Sequence, residues 1–77
     1  MHREIRLPQD TRCFAKDPTS GQLCFQGAYR RQGDVLTISP PEDSVYDHRP
    51  QKAVSFRFND QAYYMLVSEM NLPDLIA

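Results

Sequence analysis

Apolar and polar residues alternate one by one along most of this chain, and short turn-forming segments interrupt the alternation. In the clearest stretch, residues 52–58, the side chains of Val54, Phe56 and Phe58 are separated by small or charged ones. Successive side chains of a strand point to opposite faces, so a period of two predicts half-buried β-strands. The 77 residues allow a single small domain, 1–77, with a thin core.

Three turn signals divide the alternating segments into predicted hairpins. Residues 17–21 (DPTSG) end the first strand of a pair, because Asp accepts local backbone hydrogen bonds, Pro presets φ and Gly tolerates positive φ. Residues 32–33 (QG) and 59–60 (ND) are two-residue signals of the kind that close hairpins. The last of them sets Phe56 opposite Tyr63 in the predicted register.

Gly27 lies within a long alternating segment, at a position where the pattern predicts an inward apolar side chain. Glycine inside a strand is typical of a bulge or a sharp bend. A strand that bends there can contribute to both sheets of a small barrel. Beyond the bend, the turn at 32–33 sets Tyr29 opposite Leu36, which predicts that the strand at 35–38 pairs with the strand before it.

Three segments lack a clear alternating pattern. Residues 40–51 (PPEDSVYDHRPQ) contain three prolines and are predicted to form one long Pro-rich loop. The aromatic and β-branched content of residues 61–70 favours a strand, but apolar residues also recur there at helical spacing. The short apolar tail, residues 71–77, is expected to dock on this domain or on a partner.

These patterns together predict an all-β fold, either a small antiparallel β-barrel or a strongly curved meander of five to six strands. The alternative is an α+β fold with a C-terminal helix at about residues 60–70. Both folds give a thin domain, because a chain of this length buries only about 60% of the surface that it exposes when unfolded.

Two cysteines, Cys13 and Cys24, lie in the first predicted hairpin. A tight turn sets them directly opposite each other, whereas a loop two residues longer shifts the pairs and keeps the faces. We expect free thiols, because the sequence shows no export signal. A disulfide and a metal site are the alternatives, although no nearby Cys or His completes a ligand set. The sequence predicts no metal and no cofactor.

The charge distribution limits the classes of partner. The net charge is −1, which argues against a general binder of polyanions. Residues 1–33 carry a net charge of +3 and residues 34–77 a net charge of −4. If the two segments stay apart in the fold, the protein has one basic and one acidic face. No apolar run approaches the ~20 residues that span a bilayer. We therefore expect a cytoplasmic protein that does not engage membranes.

The sequence contains none of the motifs that mark common catalytic or nucleotide-binding sites, so we expect no catalytic residue and no enzyme activity. Its most informative feature is the combination of aromatic and basic side chains on predicted strands. Tyr and Arg are residue types enriched at interface hot spots. The predicted partner-binding residues are Tyr29, Arg30, Arg31, Tyr46, Arg57, Tyr64 and Leu66.

Three of these residues, Arg30, Arg57 and Tyr64, are predicted to point away from the core and to form one outer patch. Tyr64 and Leu66 are predicted to lie on a second, weakly polar face that is available to a partner. The first hypothesis is therefore a non-enzymatic protein-interaction module, either an adaptor, an inhibitor or a small assembly subunit, with a homo-oligomer as one form. The alternative is a small β-barrel that stacks nucleic-acid bases on its aromatic side chains. The competing structural interpretation is that the aromatic residues only fill the core.

Overall fold

The computed structural model describes residues 1–75, and most of them belong to seven strands joined by short turns. The strands are β1 (Arg3–Arg6), β2 (Thr11–Lys16), β3 (Leu23–Arg30), β4 (Val35–Ile38), β5 (Glu42–Tyr46), β6 (Arg49–Phe58) and β7 (Gln61–Leu66). A short helix, α1 (Val67–Met70), and a 3-10 turn (Pro73–Leu75) follow them. Strands dominate the fold, which confirms the predicted β class.

The strands form two antiparallel sheets of unequal size. Five strands are hydrogen-bonded in the order β3-β2-β7-β6-β5, while β1 and β4 form a separate two-stranded ribbon. The larger sheet curls, so that its edge strands β3 and β5 approach each other. An isolated bridge joins Gln22, next to β3, to Val45 of β5. Over residues 1–75 no closed barrel is found, and the strands number seven where five or six were predicted.

Each face of the larger sheet carries its own cluster of buried apolar side chains. The first cluster lies between the sheet and the ribbon and consists of Ile5, Leu7, Cys13, Leu36, Ile38, Val54, Phe56, Met65, Val67 and Met70. The second cluster lies on the opposite face, within the curl, and consists of Phe14, Leu23, Ala53 and Leu66, with Phe25, Tyr46 and Tyr64 packed against it. The weakly polar face predicted for a partner is thus covered by the chain's own edge strands.

Two of the predicted hairpin turns are confirmed. Both residues of the turn 59–60 have positive φ, 52° and 64°, as the favoured two-residue hairpin turns require. Phe56 pairs with Tyr63 beyond this turn, in the predicted register. In the turn 17–21, the Asp17 carboxylate accepts a hydrogen bond of 2.8 Å from the backbone N–H two residues later. Gly21 in the same turn has a φ of 76°.

The bulge predicted at Gly27 is also confirmed. Phe14 pairs with Phe25 but Cys13 pairs with Ala28, so two residues of β3 have no partner on β2. Gly27 is one of them and has a φ of 85°, a backbone conformation that L side chains rarely adopt. The pairing of Phe14 with Phe25 is the longer-loop register of the two that the sequence left open.

The two cysteines are consequently not neighbours across the hairpin. Cys24 pairs with Ala15, and its side chain is exposed, whereas Cys13 is buried in the first cluster. Both are free thiols. They do not pair because the longer loop and the bulge both move the register away from a direct Cys13–Cys24 pair.

The strand pairing predicted across the turn at 32–33 is wrong, although the turn itself forms. The Asp34 N–H donates to the Arg31 carbonyl at 3.0 Å, which closes the turn. β4 then pairs with β1, so that Leu36 lies opposite Ile5 and not opposite Tyr29. The reason is that β1 offers the same alternating pattern, and together β1 and β4 cover the first cluster. This non-local pairing therefore replaces the local hairpin that short connections normally favour.

The long loop predicted at residues 40–51 is also wrong, because most of this segment forms the β5–β6 hairpin. The two residues of its turn, 47–48, have positive φ, 55° and 62°. The polarity of the strand is inverted, since Ser44 is buried and Val45 is 37% exposed. This inversion conceals the period of two. Pro50 is tolerated inside β6, where it lies opposite Val45 at one end of the hairpin.

Residues 61–70 combine the two structures between which the sequence was ambiguous. Residues 61–66 form β7 with Met65 opposite Val54, and residues 67–70 form α1. In the tail, Leu72 and Leu75 pack against the first cluster, while positions 76 and 77 lie outside the described residues. Among residues 1–75, no helix has the length and apolar character needed to cross a lipid bilayer.

Candidate interaction cleft

A cleft of about 400 Å³ lies between the ribbon and the larger sheet, along the outer edges of β4 and β6, and we call it the β4–β6 cleft. Its walls are formed by His2, Arg30, Val35, Leu36, Thr37, Ser55, Phe56, Arg57 and Phe58. Two hydrogen bonds close one end. Ser39 N–H donates to the Ser55 carbonyl at 2.9 Å, and Ser55 N–H donates to the Ser39 hydroxyl at 2.9 Å. From there the cleft opens towards Val35 and Phe58.

Both walls of the cleft present main-chain groups that no strand pairs with in the described part of the chain. β6 pairs with β5 only up to residue 53, and the next cleft-facing residue, Ser55, is bonded to the end of β4. Backbone groups of successive residues alternate between the two edges of a strand, so the Arg57 groups face the cleft as well. By the same alternation, the edge of β4 that faces β6 carries the backbone groups of Val35 and Thr37.

Arg30 lies where the cleft meets a smaller hollow. Its guanidinium carbon is 5.1 Å from the ring centre of Phe58 and 5.8 Å from that of Phe56, which is within the range of cation–π attraction. Its Nε lies 3.4 Å from the Asp34 Oδ2. That nitrogen is buried and has no hydrogen-bond partner among residues 1–75. The Arg30 guanidinium is therefore stabilised by two aromatic rings and one long ion pair, and its charge stays only partly neutralised.

The smaller hollow, of about 200 Å³, is lined by Cys13, Ala28, Tyr29, Arg30, Phe56, Phe58 and Tyr63. Burial raises the pKa of the Cys13 thiol, and the nearby Arg30 charge opposes this effect only in part. The sulfur therefore stays protonated at neutral pH and is a poor nucleophile. The hollow offers apolar and aromatic surface, which suits binding and not covalent chemistry.

The large apolar side chains that remain exposed are concentrated around these two cavities. Tyr29, Val35 and Phe58 are 48%, 47% and 47% exposed, and each lines the cleft or the hollow. The other two such side chains, Met1 and Val45, line neither cavity. Single exposed apolar residues are ordinary, but a group of them around a concave site is typical of a binding surface.

Two carboxylates position the turn that follows Arg30. The Arg31 N–H donates to Asp34 Oδ2 at 3.0 Å, and the Gln32 N–H donates to Asp10 Oδ1 at 2.8 Å. The hydrogen bond from Gln32, with a smaller contribution from the Arg31 guanidinium, keeps the pKa of Asp10 below its usual range. Asp10 therefore stays ionised at neutral pH and holds the end of β3 in place beside the cleft.

The structure brings together four of the seven predicted partner-binding residues. Tyr29, Arg30 and Arg57 line the cleft or the hollow. Arg31 stacks on Tyr29, with its guanidinium carbon 5.9 Å from the ring centre. Arg57 is exposed, and it donates a hydrogen bond of 2.8 Å to the backbone carbonyl of Asp60 in the adjacent turn.

The other three predicted residues, Tyr46, Tyr64 and Leu66, lie on the opposite face and belong to the second cluster or pack against it. Leu66 is 1% exposed, so the expectation of an outward Leu66 is corrected: the curl of the sheet covers it. The predicted patch of Arg30, Arg57 and Tyr64 does not form, because Arg30 packs on Phe56 on the first-cluster face.

Arg12 occupies a closed aromatic cage in the second cluster, a feature that the sequence analysis missed. Its guanidinium carbon lies 5.0, 5.1 and 5.2 Å from the ring centres of Phe14, Phe25 and Tyr46. Two of its nitrogens donate to the two Glu69 carboxylate oxygens, at 3.0 and 2.5 Å, and the third donates to the Tyr46 hydroxyl at 3.2 Å. The Glu69 hydrogen bonds raise the pKa of Arg12. The cage is therefore already occupied by the guanidinium of Arg12.

Val35 and Phe58 are two further surface residues that were not predicted from the sequence. Phe58 was predicted to point inwards, but it is the last residue before the turn 59–60, at the end of the sheet where little chain is left to cover it. Val35 has the opposite parity to Leu36 and Ile38, both of which are buried. Strict alternation along β4 was therefore a signal that could have found it.

A wider groove, of about 960 Å³, lies elsewhere on the surface and is lined by Met1, Arg3, Pro40, Pro41, Arg49, Pro50, Gln51, Lys52, Val67, Ser68, Asp74 and Leu75. Two of its three basic side chains, Arg3 and Lys52, are paired with the carboxylates of Asp74 and Asp43, at 2.5 and 2.7 Å, and the third, Arg49, forms no ion pair among the described residues. No aromatic side chain lines it. The β4–β6 cleft is smaller, but it combines unpaired main-chain groups, exposed rings and cationic side chains.

Comparisons of this chain with protein-family models, with curated proteins and with solved structures find no match. Over residues 1–75, no group of three or more His, Cys, Asp or Glu side chains is arranged to hold a metal ion.

Proposed function

We propose that this protein is a non-enzymatic interaction module that binds a protein partner through the β4–β6 cleft and the hollow beside it. The supporting observation is that three half-exposed apolar side chains, Tyr29, Val35 and Phe58, line the cleft or the hollow that Arg30 also lines, and that the Arg30 guanidinium stacks on Phe58. Aromatic residues and arginine at the centre of an apolar patch are the usual composition of interface hot spots. An adaptor, an inhibitor or an assembly subunit would act in this way, by presenting a surface.

The arrangement of charge favours a protein partner over a nucleic acid. Six of the nine Lys and Arg side chains form ion pairs with carboxylates, at 2.5 to 3.9 Å. Tight binding of a phosphate backbone needs several cations that are free to replace its counterions. Two free thiols, Cys13 and Cys24, fit a reducing compartment, so a cytoplasmic setting is part of the proposal.

The test uses the full chain immobilised as bait for a lysate of its source cell, with each sample divided and treated with or without nuclease. Three variants run beside the wild type. Phe58→Ser and Arg30→Gln alter the cleft, while Val45→Ser removes an exposed apolar side chain from the distant β5–β6 hairpin and is the matched control. Circular dichroism of each bait establishes that it is folded.

We expect one stoichiometric protein that survives nuclease, is retained by Val45→Ser and is reduced on the order of tenfold by either cleft variant. Equal retention by all four baits would show that the partner binds elsewhere and would overturn the assignment to the cleft. Loss of the partner on nuclease treatment, with binding that falls steeply as salt is added, would instead favour the nucleic-acid alternative.

A further inference from the structure

We propose that the β4–β6 cleft accepts an extended, acidic segment of a partner protein, which adds a strand between β4 and β6. This inference rests on the proposed function and specifies its mode of recognition. Strand addition recognises a peptide through main-chain hydrogen bonds at an open sheet edge, and pockets for alternate side chains add specificity.

Two open strand edges offer main-chain groups to an added strand. Val35 and Thr37 on one wall and Arg57 on the other present backbone groups towards the cleft, and no strand pairs with these groups within residues 1–75. An extended segment that bonds to both walls runs antiparallel to one of them and parallel to the other, and the walls have to part to about twice the ~4.8 Å spacing of paired strands to admit it. The Ser39–Ser55 hydrogen bonds block the closed end, so the segment enters at the end formed by Val35 and Phe58.

The charged side chains around these edges are basic. The cleft is lined by two arginines, Arg30 and Arg57, and no carboxylate of the described residues lines it. Arg57 forms no ion pair among the described residues, and the Arg30 charge is balanced only by Asp34 at 3.4 Å. Carboxylates on the bound segment complement the two arginines, which lie beside the Phe56 and Phe58 rings.

The same charges argue against a second copy of this chain as the occupant. Self-pairing through the open edge of β4 or β6 would bring Arg30 and Arg57 of one copy close to the same residues of the other. Like charges that face each other across an interface oppose association. An acidic segment meets no such repulsion, and its apolar side chains can pack on Val35 and Phe58.

The test is a binding measurement on the full chain with two synthetic peptides that have blocked ends and seven residues each. One alternates glutamate with valine, and the other alternates lysine with valine. Amide hydrogen exchange measured by NMR reports on individual backbone groups. We expect the acidic peptide to slow exchange of the Val35, Thr37 and Arg57 amides on the order of tenfold, and the basic peptide to leave them unchanged.

Two variants at one position separate main-chain recognition from side-chain contact. Thr37→Pro removes the N–H that faces the cleft, and it leaves the ribbon hydrogen bonds in place because those use the neighbouring residues. Thr37→Ala keeps the N–H and is the matched control. The acidic peptide should bind Thr37→Pro on the order of tenfold more weakly than it binds Thr37→Ala, while both variants keep the dispersed NMR spectrum of the folded protein.

Several results would overturn strand addition. One such result is that the acidic peptide shifts the Phe58 signals but protects none of the three amides. This result would be consistent with an interaction surface at the cleft but would rule out strand addition. Equal binding of both peptides would show that the cleft does not select an acidic segment. Because main-chain pairing tolerates many sequences, absence of binding by either peptide at millimolar concentration would also contradict it. Protection of the same amides without peptide, in a chain that light scattering shows to be dimeric, would identify a second copy as the occupant.

Discussion

Arg12 and Arg30 have nearly the same side-chain exposure, 29% and 27%, and both guanidinium groups stack on aromatic rings, yet their surroundings differ in kind. Arg12 is enclosed by three rings and donates to both oxygens of Glu69 and to a tyrosine hydroxyl. Arg30 rests on two rings, one of them about half exposed, and has a single ion pair at 3.4 Å.

This difference separates a structural arginine from a candidate binding arginine. Charge-assisted, bidentate hydrogen bonds satisfy a guanidinium and give it a fixed geometry, so Arg12 has little left to offer a ligand. A cation that stacks on rings but lacks a well-formed carboxylate partner can still gain from a new anion. Exposure alone would not have distinguished the two side chains, because the distinction lies in their partners.

The largest expected effect comes from opening the closed cage. Phe14 is fully buried, and its ring centre lies 4.9 Å from that of Tyr46 and 5.8 Å from that of Phe25. Phe14→Ala should lower the free energy of unfolding by about 3–5 kcal/mol, because it removes a core ring and leaves a cavity. Urea denaturation followed by circular dichroism measures the loss. The control is Phe58→Ala, which should cost less than about 1 kcal/mol, and a similar loss in both variants would contradict the contrast between the two regions.

A matched pair of arginine variants tests the comparison directly. Arg12→Leu should lower the free energy of unfolding by about 2 kcal/mol, since Glu69 loses its partner and three rings lose their cation; partial exposure keeps the loss below that of a fully buried pair. Arg30→Leu should change stability by less than about 1 kcal/mol. The same urea titration reports both values. Should the order be reversed, Arg30 would be the structural residue and the binding assignment would fail.

The smallest expected effect is an acid response of the turn beside Arg30. Because the folded-state pKa of Asp10 is lowered, its contribution to stability is complete above the ordinary aspartate range, near pH 4, and is lost as the pH falls through the folded-state pKa. In the wild type, the Gln32 amide signal in NMR should move as the pH falls below about 4. In Asp10→Asn, which lacks the carboxylate that accepts the hydrogen bond from the Gln32 N–H, this shift should be much smaller. A Gln32 amide that titrates identically in both proteins would show that Asp10 does not hold this turn.

Local features of the fold were predictable because they depend on residues near one another in the chain. The turns at 17–21 and 59–60, the bulge at Gly27 and the β6–β7 register all follow from turn chemistry and a period of two. The β5–β6 hairpin was missed because Ser44 is buried and Val45 is exposed, which inverts the polarity that a strand normally shows.

The candidate site was predictable only in part, for a similar reason. Residue type identified Tyr29, Arg30 and Arg57, since aromatic and basic side chains on strands are common at interfaces. The cleft itself depends on two strand edges that are far apart in the chain and stay unpaired within residues 1–75. Its exposed Phe58 occurs in a run whose alternation is indistinguishable from that of the buried Phe56.

By itself, the sequence determined the β class, most of the strand positions and which side chains within one strand share a face. The tertiary structure alone decided that the faces carrying Phe14 and Phe56 are opposite sides of one sheet and that both are buried. It also decided that β4 pairs with β1. The physical reason is that alternation defines faces only relative to one strand, whereas burial depends on where distant strands pair and how the sheet curls around them.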